Sequence, residues 1–110
     1  MTDNFECTPV GLTFLDTARN VFRAEQVVRA TPEQIFDVFE DAESWTVWAL
    51  PIQNVEWTSP KPFGVGTTRT VSMVGGIVGY EEFVAWERGK RMAFTFVRCS
   101  KKDPEKFIED

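Results

Sequence analysis

The chain has 110 residues, 43% of them hydrophobic, enough for one domain with a real core. A net charge of −5 repels phosphate backbones, and the basic residues are scattered, so nucleic acid is not an expected partner. Histidine is absent, which removes Ser-His-Asp and Cys-His nucleophilic systems and His-ligated metal sites.

Cys7 and Cys99 stand alone and read as two reduced thiols, not as a zinc knot or redox pair. No basic stretch followed by an apolar block opens the chain. No apolar run approaches the roughly 20 residues of a membrane span. These features lead us to expect a cytoplasmic protein without a membrane span, metal or cofactor. Fifteen rings (ten Phe, four Trp, one Tyr) are unusual at this length and suit an apolar pocket as well as a core.

Residues 1–17 read as a lead-in, in which Val10, Leu12, Phe14 and Leu15 form a short strand or pack across a sheet. From 18 to 110 the chain reads as one domain. Ala18 to Arg29 alternates and predicts a first strand, with Phe22, Ala24 and Val28 on one side. Gln26 falls on that apolar side, either as a pocket residue or as an amide bonded to neighbouring backbone.

Thr31-Pro32-Glu33-Gln34 carries the sharpest local signal: Thr at N-cap, Pro at N1 and Gln at N3 make a capping box. Ile35, Val38, Phe39 and Ala42 follow helical spacing and predict a buried stripe. Asp41 caps a second short helix bearing Trp45 and Trp48, closed by Pro51.

Between Ile52 and Arg98 the period drops to two. Val55 and Trp57 share one face; after a Pro/Gly-rich turn, so do Arg69, Val71 and Met73. After Gly75-Gly76 come Val78, Tyr80, Glu82, Val84 and Trp86; after Arg88-Gly89-Lys90 come Met92, Phe94 and Phe96. Four strands with short turns predict an antiparallel meander. Gly79, inside the third, predicts a bulge or bend.

Glu82 is the candidate pocket carboxylate, since burial beside rings suits a carboxyl to acid or base work. The alternative is a salt bridge from Glu82 to Arg69 or Arg91. Glu81, on the other face, reads as solvated. Arg69 and Arg98 either hold a ligand carboxylate or form ion pairs at the sheet edge.

The order of these pieces resembles the polyketide cyclase/dehydrase and lipid-transport family of the START/Bet v 1-like helix-grip superfamily. The resemblance rests on Val28 to Asp37, Asp41 with Trp48, Val55 to Thr58, Gly64 to Thr68, and Glu81 to Glu87 before Arg91. It implies an α+β fold: a curved antiparallel sheet, two short helices after the first strand, and an apolar ligand cavity on the concave face. It also implies further strands and a long helix beyond Phe107 to Asp110, so the domain reads as C-terminally incomplete.

On that basis Gln26, Trp48, Tyr80, Glu82, Val84, Trp86, Met92, Phe94 and Phe96 are the expected ligand-binding residues. The expected partner is a small apolar molecule such as a lipid, polyketide or aromatic metabolite. A cyclase or dehydratase using Glu82 and a groove-based interaction or dimerisation module are the alternatives, and exposed rings on an open concave face predict a homodimer.

Overall fold

Pairing of consecutive strands across short turns organises the molecule, with one distant strand, at the N-terminal end, closing the far edge. The computed structural model describes residues 4–100. It comprises β1 (Asn4–Glu6), α1 (Phe14–Thr17), α2 (Pro32–Glu40), a 3-10 turn at Ala42–Ser44, and α3 (Trp45–Trp48). The strands β2 (Ile52–Trp57), β3 (Thr68–Met73), β4 (Ile77–Glu87) and β5 (Arg91–Ser100) follow. They form one antiparallel sheet in the order β1-β5-β4-β3-β2. This is the α+β, helix-grip-like arrangement expected, with the meander and its turns where the alternation placed them.

The turns follow from their residues. Gly75 and Gly89 adopt φ of 83° at the two hairpins, a region open to glycine at little cost. The capping box forms in full: the Thr31 hydroxyl accepts from the Gln34 amide at 3.1 Å, and the Gln34 side chain accepts from the Thr31 amide at 2.9 Å. Asp41 caps the next turn by accepting from the Glu43 amide.

Two indoles fasten the helices. The Trp45 N–H donates to the Phe39 carbonyl at 2.9 Å, and the Trp57 N–H donates to the Glu40 carbonyl at 3.0 Å. The second bond ties the end of α2 to β2. Trp45, Val55, Val71 and Met73 make the core cluster, with Phe39, Ile52 and Phe96 packed against it.

Three expectations need correction. Ala18 to Arg29 is not a strand: residues 21–28 have no regular structure, and Phe22 is 92% exposed. Alternation reports which way side chains point, but a strand also needs a partner, and the outer edge of β5 pairs with Asn4–Glu6 instead. On α2 the fully buried residue is Phe36, while Val38 is exposed, because the helix presents a ring to Trp86. Glu81 is buried, not solvated. The residues from 107 onward, where a further strand was expected to begin, lie outside the described ones.

Candidate functional site

The site grows from one row of the sheet. Trp57 pairs with Arg69, Arg69 with Glu81, and Glu81 with Phe96, so four side chains from β2 to β5 line up on one face. Helices α2 and α3 lie over this face through Phe36, Phe39 and Trp45. Around the row Trp57 stacks on Phe63 at 4.1 Å, and Phe83 meets Trp86 at 5.1 Å and Phe94 at 5.4 Å, measured between ring centroids.

Arg69 sits inside these rings. Its Nε donates to Glu81 Oε1 at 2.5 Å, with side chains 0% and 4% exposed. Its Cζ lies 4.2 Å from the Trp45 ring centre, 4.6 Å from Phe94, 5.1 Å from Phe83 and 5.5 Å from Trp57. Ring faces attract the cation, by about 2 kcal/mol or more where water is excluded. They do not accept the in-plane N–H bonds that a guanidinium offers.

Nη1 and Nη2 are buried and have no hydrogen-bond partner among the described residues. A buried donor left unpaired costs about 1–3 kcal/mol. Burial pulls the Arg69 pKa down, opposed by the charge and hydrogen bond of Glu81. It pushes the Glu81 carboxyl up, opposed by Arg69.

The predicted residues divide between the two faces. Trp86, Met92, Phe94 and Phe96 come together on the helix-covered face. Tyr80 and Glu82 lie on the other, alternate to buried Gly79, Glu81 and Phe83; Tyr80 carries the Arg98 guanidinium 5.0 Å above its ring. Glu82 stands between Thr68 and Thr95, and neither Arg69 nor Arg91 pairs with it: Arg69 holds Glu81, and Arg91 holds Glu87.

The register of β4 against β5 shifts between Phe83 and Ala85, at Val84. One extra residue there turns Trp86 onto the face of Phe83, so straight counting from Tyr80 to Trp86 crosses from one face to the other. The same shift explains why Glu81 and Phe83, missed by that counting, are the inward residues. The signal available was Arg69 itself, an arginine in phase with Val71 and Met73 that needed an acid opposite.

Val84 shares a cavity of about 290 Å³ with Phe94, Phe96 and, from the lead-in, Val10, Leu12 and Phe14. Trp48 is half-exposed at the mouth of a separate apolar groove beside α2, with Ile35, Val38 and Phe39. Gln26 is exposed in the irregular segment and is not brought to the rings. No group of three or more potential metal ligands occurs among the described residues, and no described helix is long and apolar enough to cross a membrane.

An open antiparallel sheet with short helices over a ring-lined face defines a helix-grip-like protein. The family model described as polyketide cyclase / dehydrase and lipid transport matches residues 19–108, and the chain belongs to that family. It is 51% identical over 106 residues to an uncharacterized protein of Mycobacterium bovis and to uncharacterized proteins of two Mycobacterium tuberculosis strains. The matched region covers 96% of this chain and 64% of those relatives. No solved structure matches.

Proposed function

We propose that the ring-lined face of the sheet binds a small apolar molecule, of the lipid, polyketide or aromatic class. The observation that carries this reading is the continuous ring surface of Trp57, Phe63, Phe83, Trp86 and Phe94, gathered from β2, the following loop, β4 and β5. Membership of a lipid-transport and cyclase family supports it. Binding here requires no acid or base, and Glu82, the expected catalytic candidate, lies on the opposite face.

Native mass spectrometry of the purified protein tests the reading. A co-purifying apolar molecule, released by organic solvent, is the expected result. A bare chain that also leaves its tryptophan emission unchanged on titration with apolar aromatic probes contradicts it.

A homodimer is a second reading, favoured by one observation: Phe22 and Val27 are 92% and 96% exposed in a segment without regular structure. Light scattering at micromolar concentration gives twice the chain mass if it holds, and the chain mass if it does not.

A further inference from the structure

We propose that Arg69 is the polar anchor of the ligand site, and that its Nη1 and Nη2 bind a neutral carbonyl oxygen on an otherwise apolar ligand. This inference rests on the apolar-ligand reading above and adds the chemistry that orients the molecule. Four observations carry it. Arg69 is 1% exposed, its Nε alone is satisfied, its two other nitrogens have no partner among the described residues, and rings surround it.

The surroundings select the ligand group. A guanidinium only donates, so its partner must accept. A buried water typically needs about three polar partners, and the rings around Arg69 supply none beyond the guanidinium itself. A carbonyl oxygen has two lone pairs and no proton to satisfy, so it fills the gap left by both nitrogens.

Charge decides between carbonyl and carboxylate. Glu81 already balances Arg69. A second carboxylate would stand against it in a water-poor site, where like charges repel strongly.

Phe94 gives the route. Phe94 is 38% exposed, and its ring centre stands 4.6 Å from the Arg69 Cζ. An apolar body that displaces this ring from its exposed side reaches Arg69.

Three probes of one shape test this: 2-acetylnaphthalene, 2-ethylnaphthalene and 2-naphthoate, titrated against tryptophan emission at neutral pH. The expected order places the ketone about tenfold or more tighter than the hydrocarbon, as a charge-assisted hydrogen bond predicts, and tighter than the acid. In Arg69→Met/Glu81→Leu, which removes both charges together and leaves no orphan carboxylate, the ketone and hydrocarbon should bind within about twofold. Circular dichroism checks that this variant folds; if it does not, Arg69→Lys, which keeps a cation opposite Glu81 but withdraws the forked guanidinium donors, must lose the ketone preference. Equal binding of ketone and hydrocarbon by the wild type overturns the Arg69 assignment but leaves the apolar-ligand reading standing. Tighter binding of 2-naphthoate overturns the choice of a neutral carbonyl. Binding of none of the three overturns both readings.

Discussion

Arg69 and Glu81 face each other across β3 and β4, joined at 2.5 Å with almost no exposure, and each depends on the other for the compensation of its charge. Removing one partner strands the other. Arg69→Met should therefore lose about 3–5 kcal/mol of stability, while Arg69→Met/Glu81→Leu should recover most of that loss. Urea unfolding of both variants checks the difference, and an equally unstable double variant would count against a charge-based cause.

The pair also sets a pH dependence. Burial raises the Glu81 carboxyl above its ordinary value of 4.5, so the folded state holds that proton more tightly than the unfolded chain. Its contribution is fully present below the unfolded value and is lost as pH rises through the higher folded value. The stability of wild type relative to Glu81→Gln should accordingly be greatest in acid and fall toward neutrality. Paired unfolding curves across that range measure the slope, and a rise with pH would be the wrong sign.

Thr31→Ala removes the acceptor for the Gln34 amide and should cost about 1 kcal/mol, with Thr31→Ser close to wild type. Denaturation midpoints of the two variants separate the lost cap from a general effect of substitution at this position.

Gly79 is opposed by the Phe96 ring, and a Cβ added there would overlap the ring carbons. Gly79→Ala should destabilise by about 1–3 kcal/mol, and Gly79→Ala/Phe96→Leu should recover part of the loss. Thermal unfolding of the single and double variants provides the check.

Arg88, at the turn between β4 and β5, is held by Glu33, Asp37 and Glu40 of α2, with Glu40 at 3.0 Å. This clamp is solvent-facing and should weaken with salt, since the screening length falls from about 10 Å at about 0.1 M to about 3 Å at about 1 M. The stability difference between wild type and Arg88→Gln should shrink over that range; a constant difference would point to packing instead.

Much of this arrangement was legible because its causes are local. The capping box at Thr31, the cap at Asp41 and the hairpin glycines each specify their turn through neighbours a few residues away. The period-two pattern placed Arg69, Val71 and Met73 on one buried face for the same reason. What escaped depends on distant partners. Alternation in Ala18 to Arg29 carries no information about whether an edge is free to receive it. The shift at Val84 arises from pairing with β5, so it reassigns Trp86 to the face of Phe83 and separates it from Tyr80 and Glu82 without any mark in β4 itself.

The central claim is that a ligand occupies the ring-lined face with Arg69 at its inner end. A ¹H–¹⁵N spectrum recorded during titration with 2-acetylnaphthalene tests it most directly. The account predicts that the Arg69 Nε–H and the indole N–H signals of Trp45, Trp57 and Trp86 move together as the site fills. Shifts confined to the backbone around Tyr80, Glu82 and Arg98, with the Arg69 and indole signals unmoved, would place the ligand on the wrong side of the sheet and contradict it.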